Sequence, residues 1–331
     1  MDASIIIVTY ERPRRLLRTL SGLESQEGAC KFEIIIVDDG SGQSMTGLLE
    51  RQQWSHQHEL LWHKHSACLS RCRNLGLQRA RSPILIFLDD DLVVPPSFVE
   101  SHIAAHTNQD RMVVMGLRNS VPFKVWSKAP LSPYDYMYGH SRTDPRAMEI
   151  QADELQTHPW VFVSGSNLSV RRNLAIDIGL FDENYLGWGF EDVDIAYRLY
   201  RHGANFHLMR DAIPIHMDNS SSRDLRNSSL TLEPHKVDDY FGNGEYFLRK
   251  FGDDPIVPLV VHLDRWRRLR SVGTETFESP QEQDIDMSGF YETDHKGDCS
   301  FPAELSLFTP YTSNDETRLK TLIQHEEDYD S

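Results

Sequence analysis

The sequence is poor in several features, and each shortage excludes a class. It has four cysteines in 331 residues (Cys30, Cys68, Cys72 and Cys299), too few and too scattered for a disulfide-stapled domain. Cys68 and Cys72 stand four apart on an expected helix, a spacing open to a metal pair or to two ordinary helix-face thiols. There is no run of about eighteen apolar residues, so no membrane-spanning helix is expected. A basic leader and a small-residue cleavage site are missing from Met1-Asp2-Ala3-Ser4, which runs straight into Ile5-Ile6-Ile7-Val8. The expectation is a cytoplasmic protein. No Gly-x-Gly-x-x-Gly follows the first strand and no lysine-bearing phosphate loop is found, which disfavours a dinucleotide cofactor or a P-loop. Positive charge is scarce too: 34 Lys and Arg stand against 50 Asp and Glu, a net charge of −16. That balance excludes a general nucleic-acid binder, which needs a basic footprint, but leaves room for a local nucleotide pocket.

The acidic excess is unevenly spread. Residues 271–331 hold 15 Asp and Glu against 3 Lys and Arg, so −12 of the −16 lies there and −4 in the rest. This stretch reads as a loosely ordered acidic extension. Elsewhere, 39% apolar and 25% charged residues suit a globular chain of one large or two modest domains.

The first hundred or so residues alternate strand and helix patterns. Strands are expected over 4–9, 32–37, 60–62, 84–88 and 113–117. Helices are expected over 13–25, 45–53, 67–79 and from the Pro95-Pro96 pair to 106. Strands joined by helices in this way give an α/β, doubly wound, mostly parallel sheet with helices on both faces. Residues 118–158 lack clear periodicity and are rich in proline and aromatics, as in a long loop or small insertion facing an acceptor or packing on itself. Order returns at Trp160-Val161-Phe162-Val163. A helix follows over 190–201, strands over 205–209 and 213–216, and a helix near 237–250.

Two acidic constellations carry chemistry. Asp89, Asp90 and Asp91 end the apolar run 84–88, at the strand terminus where open α/β sheets place ligands. Three like charges so close disfavour one another's ionisation, and a divalent cation with hard oxygen ligands would relieve the conflict. An acidic turn ending a strand is the plainer reading of the triplet. The second constellation is Gly187-Trp188-Gly189-Phe190-Glu191-Asp192-Val193-Asp194. Its acids open a helix, where they complement the dipole, but the preceding flexible turn adds an aromatic face suited to a sugar ring.

In order along the chain, residues 5–10, Val37-Asp38-Asp39-Gly40-Ser41, Arg73-Asn74 and Leu88-Asp89-Asp90-Asp91 resemble the nucleotide-binding half of family 2 glycosyltransferases, which have the GT-A fold. The segment Trp188 to Asp194 is similar to the C-terminal galactosyltransferase motif of β-1,4-galactosyltransferases, chondroitin polymerases and polypeptide N-acetylgalactosaminyltransferases. The resemblance covers about residues 4–216. It implies a nucleotide-binding half over 1–117, an insertion over 118–158, an acceptor-binding and catalytic half over 159–255, and an acidic extension over 256–331.

It further implies that Thr9, Tyr10, Glu11, Asp38, Asp39, Arg73, Asp89, Asp90 and Trp188 contact a UDP-sugar. Asp91, Asp89 and His216 would hold Mn²⁺ or Mg²⁺, Asp192 would be the catalytic base, and Glu191 would bind the acceptor. The implied activity is metal-dependent inverting transfer of a sugar to an acceptor hydroxyl or other nucleophile on a carbohydrate, peptide or small molecule. The relatives often have glycine where Phe190 stands, a departure that bears on the shape of the acceptor pocket. A nucleotidyltransferase would share an acidic sheet edge, although Glu11-Arg12-Pro13-Arg14 is a poor version of its basic loop. A non-catalytic sugar- or nucleotide-binding protein is the other alternative.

Overall fold

In a computed structural model of the chain, the described residues are 1–42, 54–129, 134–144, 146–149, 157–218 and 236–261. The expected helix over 45–53 and the acidic stretch 271–331 lie outside them. The chain divides into two units, Met1–Leu225 and Arg226–Ser331.

The first unit holds ten strands among its described residues: β1 (Ala3–Thr9), β2 (Phe32–Asp38), β3 (Gln57–Trp62), β4 (Ile84–Asp89), β5 (Leu92–Val93), β6 (Met112–Gly116), β7 (Asn119–Val121), β8 (Asn167–Arg171), β9 (Asn205–Met209) and β10 (Ile215–Met217). Its helices are α1 (Pro13–Glu24), α2 (Leu69–Arg79), α3 (Phe98–Ala105), the short α4 (Phe123–Trp126), α5 (Tyr134–Tyr138) and α6 (Arg146–Glu149), then α7 (Arg172–Asp177) and α8 (Glu191–Arg201). The second unit contributes α9 (Val237–Phe251), which opens on Asp238 and Asp239 and closes on Arg249 and Lys250, matching the helix dipole at both ends.

Seven strands form one sheet in the order β3-β2-β1-β4-β8-β6-β9. It is mostly parallel, as expected, with β8 running antiparallel to both β4 and β6. Alternation along the strands explains the layers. Ile5, Ile7, Ile34, Ile36, Ile86 and Leu88 pack with Leu16, Leu20 and Leu23 of α1 and Phe98 of α3 on one face. On the other face Ile6 and Val37 meet α2 at Gly76, where a Cβ would come 2.5 Å from Ile6. Strands buried on both faces become continuous β-branched runs such as Ile5-Ile6-Ile7-Val8.

A second sheet, β5-β10-β7, was not foreseen. Of its strands only β10 was expected, over 213–216; β5 and β7, of two and three residues, are too short to leave a period in the sequence. It draws β7 out of the 118–158 segment, whose described residues also hold α4, α5 and α6. The stretch from Trp160 is likewise a tight turn, a 3₁₀ helix over Pro159–Phe162. On β10, Ile215 and Met217 join a small core with Val93, Val121 and Trp126. His216, between them, therefore faces the opposite way, towards the triplet.

Behind β8 lies a buried polar network. The Ser169 hydroxyl lies 2.9 Å from His102 Nδ1 and 2.8 Å from His106 Nε2, and Asn167 Oδ1 is 3.0 Å from His102 Nε2. Burial pushes His102 down to about 4 and His106 down to about 3. Both therefore fold neutral, while in the unfolded chain they take up protons near pH 6.5. Below that pH these two sites bind more protons in the unfolded chain, so their own contribution to stability is full above it and falls towards pH 4. In an NMR titration of the folded protein we expect both imidazoles to stay neutral from pH 7 down to pH 5. Titration of either ring near pH 6.5 would show that it is not buried in the neutral form.

Candidate functional site

The last residues of β1, β2 and β4 are Thr9, Asp38 and Asp89. Parallel register sets them side by side, with Thr9 opposite Asp38 and Val8 opposite Asp89. Residues that follow these strands share one rim of the sheet, and three groups of side chains meet there.

The first group surrounds Asp91. Arg12 and Arg15 of the first βα connection and helix each lie 3.3 Å from its Oδ2, and His216 Nε2 lies 3.4 Å away. Asp91 Oδ1, also buried, has no hydrogen-bond partner among the described residues. Burial works to raise this carboxyl, but His216, Arg12 and Arg15 outweigh it and hold it below the usual carboxylate range. Asp90 turns the other way. It accepts from the Thr9 hydroxyl at 2.7 Å and from Arg12 at 3.4 Å, and its own carbonyl accepts from Thr19 at 2.8 Å. Burial and the neighbouring Asp91 charge push Asp90 up to about 7.

Like-charge crowding at the triplet is thus relieved in part by the fold itself. Arg12 and Arg15 arrive from the start of α1 and the His216 imidazole from β10, all distant in sequence, although no Lys or Arg follows the triplet closely in the chain. A buried carboxylate oxygen without a partner, beside an imidazole, suits a hard divalent cation such as Mn²⁺ or Mg²⁺, and Asp91 and His216 fit that group. Asp89 feels the charge of Asp91 nearby. Its carboxylate faces Arg73, 3.6 Å from Nη2.

The second group surrounds Asp39. Oδ1 accepts from the Ser66 amide and hydroxyl, both at 2.9 Å, and Oδ2 from the Ala67 amide at 3.2 Å. His65 approaches Oδ2 at 3.0 Å and stacks on Tyr10, with ring centroids 4.2 Å apart. Asp38 Oδ1 accepts from the Ser41 amide, and Glu11 accepts from the Gly42 amide. Asp38 and Glu11 thereby brace the 41–42 turn. Asp39, His63 and Cys72 also bring three metal-capable atoms within 4.8 Å of one another. The oxygens of Asp39 are already engaged, so this trio reads as a clasp on the carboxylate. A soft thiol also suits Zn²⁺ better than Mn²⁺.

The third group joins the two acidic constellations. Arg73, at 4% exposure, donates from Nη1 to Glu191 Oε1 at 3.0 Å while facing Asp89. Burial, then the charge of Asp192, push Glu191 up to about 7 against the opposing pull of Arg73. Asp192 is half-buried and accepts from the Gly165 amide at 3.0 Å and from the Val193 amide at 2.9 Å. The turn ahead of α8 is left-handed at Gly187, Gly189 and also Phe190, where φ is 68°. A buried phenylalanine in that region costs of order 1–2 kcal/mol, offset here by its packing at 4% exposure. The Gly187 amide donates to the Ala67 carbonyl at 2.7 Å, which sets half-buried Trp188 near the loop that clasps Asp39.

Arg12, Arg15, Ser66, His65 and Gly165 were not singled out from the sequence. Arg12 carried one legible signal, being a basic residue directly after the first strand. The others become site neighbours only through the fold.

A model of the family described as glycosyl transferase family 2 matches residues 4–179. Among curated proteins, an uncharacterized glycosyltransferase of Bacillus subtilis, YfnE, is 29% identical over 300 residues, covering 80% of this chain and 73% of its own. The chondroitin synthase of Escherichia coli is 26% identical over 277 residues, covering 75% of this chain, which spans 39% of that enzyme. Among solved structures, the mannosyltransferase PcManGT of Pyrobaculum calidifontis, in complex with GDP-Man and Mn²⁺, aligns with a TM-score of 0.55 at 15% identity. The alignment covers 82% of this chain and 72% of that one. Residues 1–349 of S. aureus TarS in complex with UDP-GlcNAc align with a TM-score of 0.54 at 14% identity, covering 82% and 89%. At such identities these structures testify to the GT-A fold alone.

Proposed function

The chain belongs to glycosyl transferase family 2, and from that premise we propose that it moves a hexosyl group from a UDP-sugar to an acceptor hydroxyl with inversion. That it is a glycosyltransferase follows from the family and its relatives. The donor, the cation and the stereochemistry are our reading. The observation that supports it most directly is the Arg73 guanidinium, which touches Glu191 and faces Asp89, so the two acidic constellations share one site. A related fold is known with UDP-GlcNAc bound and another with Mn²⁺, which makes both ligands reasonable here.

Asp91 and His216 would hold Mn²⁺ or Mg²⁺, and such an ion supplies Lewis-acid stabilisation of the negative charge on the departing diphosphate. Arg12, two-fifths exposed on its side chain, adds a fixed cation at the same rim. On the acceptor side, Asp192 is the base that takes the hydroxyl proton as the oxygen attacks the anomeric carbon. One base and one in-line displacement invert that carbon, so an α-linked donor gives a β-linked product. Glu191 orients the acceptor, and Trp188 offers an aromatic face to the sugar. Tyr10 and Asp39 border the nucleoside, with the stacked His65 behind Tyr10.

A thermal-shift panel of nucleotide sugars with and without Mn²⁺ tests this reading. A ligand that binds only the folded state raises the melting point, by about 2.7 kcal/mol of stability at a hundredfold excess over Kd. UDP-sugars are expected to shift it more with Mn²⁺ than without. No shift with any nucleotide sugar would count against the donor class.

A further inference from the structure

A glycine between the 3₁₀ turn and β8 touches both halves of the site. The amide of Gly165 donates to Asp192 Oδ2 at 3.0 Å, on the acceptor side. The next residue, Ser166, accepts the Asp89 amide on its carbonyl at 3.1 Å, on the donor side. The Gly165 Cα itself lies against the Arg73 guanidinium. A Cβ built there would stand 2.6 Å from Nη2, 2.8 Å from Nη1 and 2.9 Å from Cζ, closer than real Cβ atoms come.

The guanidinium has little room to give way. Its Nη1 donates to Glu191, its Nη2 faces Asp89, and its Cζ lies 5.3 Å over the Phe181 ring. Register anchors the loop on its far side, since Asn167 pairs with Leu88, the residue before Asp89. Three residues of loop are thus tied to the strand that carries the donor carboxylates, to the arginine between the constellations, and to the carboxylate proposed as the base.

We infer that Gly165 is a positioning residue for glycosyl transfer: its backbone N–H orients Asp192, and its missing side chain admits Arg73 between Asp89 and Glu191. The inference rests on the transferase reading above. The residue touches no substrate and acts through Asp192 and Arg73. Its effect belongs to the step in which donor and acceptor must be in line, where displacements near 1 Å cost about 10²-fold in rate. Donor binding depends chiefly on Tyr10, Asp38 and Asp39 after β1 and β2, with which Gly165 shares no hydrogen bond among the described residues.

The test compares wild type, Gly165→Ala, Arg73→Lys and the double variant, by UDP release in the presence of acceptor, UDP titration and melting temperature. Gly165→Ala is expected to lower kcat about 10²-fold while the Kd for UDP stays within about threefold. Lysine lacks the planar fork, so in the Arg73→Lys background the alanine should add little further loss. A general packing defect would instead lower the melting temperature and weaken UDP binding along with kcat, so the split between kcat and the other two readouts is what separates the two. Equal kcat for wild type and Gly165→Ala would overturn the inference. So would parallel losses of kcat and UDP affinity, or full additivity in the double variant. Wild-type protein that releases UDP from no nucleotide sugar would sink the transferase reading itself, an outcome distinct from an active wild type matched by Gly165→Ala.

Discussion

Asp192→Asn is expected to lower transfer by about 10²–10⁴-fold while the affinity for UDP-sugar stays nearly unchanged. Asparagine is close in shape, and its carbonyl oxygen can keep one of the two amide bonds that Asp192 accepts from Gly165 and Val193. What it loses is the capacity to take a proton. The loss should therefore fall on kcat, with the donor KM little altered, the pattern of a group needed in the transition state alone. Steady-state kinetics against donor and acceptor separately would measure this split. Turnover in Asp192→Asn equal to wild type would move the base elsewhere in the site. Glu191→Gln makes a useful contrast. Its carboxyl lies near 7 and bonds to Arg73, so its loss should raise the acceptor KM at least as much as it lowers kcat.

The second large effect is expected at Asp91. Asp91→Asn removes the carboxylate that gathers Arg12, Arg15 and His216 and carries the unpartnered buried oxygen. Two guanidinium groups and an imidazole then lose the anion they share. Breaking a buried ion pair on one side costs about 3–5 kcal/mol, so the melting point should fall as well. The telling measurement is UDP titration with and without Mn²⁺. Wild type should bind more tightly with the ion, and the variant should lose most of that gain, about 10²-fold.

Asp90→Asn should behave quite differently, although it is the adjacent residue. Its side chain faces Thr9, whose hydroxyl an asparagine oxygen can still receive, and its backbone carbonyl keeps Thr19. Activity within severalfold of wild type is expected. If Asp90→Asn and Asp91→Asn proved equally damaging, the division of labour drawn from their orientations would be wrong. Full wild-type activity in excess chelator would remove the cation from the reading altogether.

Some of this site was open to a reader of the sequence. Thr9, Asp39, Asp89 and Asp91 stand where apolar strand runs end, and a parallel sheet places its strand termini on one rim whatever the loops do. Glu191 and Asp192 were marked by an acidic first turn after Gly-Trp-Gly. Regular elements announce themselves because burial on one or two faces imposes a period over many residues. The strands 3–9 and 84–89 and the helices 13–24 and 191–201 all came within a few residues of expectation for that reason.

The pairings across the site had no such signal. A two-residue strand at Leu92–Val93 leaves no period, yet it aligns His216 with the triplet. Arg15 lies 76 residues from Asp91, Arg73 lies 118 from Glu191, and Gly165 lies 27 from Asp192. Local sequence determined which segments became strands and helices, and which rim gathered the acids, since both depend on near neighbours and on solvent. Which cation neutralises which carboxylate, which aspartate turns inward, and why a glycine must sit beside a guanidinium were decided by tertiary packing. Distances of 3 Å between residues far apart in the chain exist only once the sheet order and its crossovers are in place.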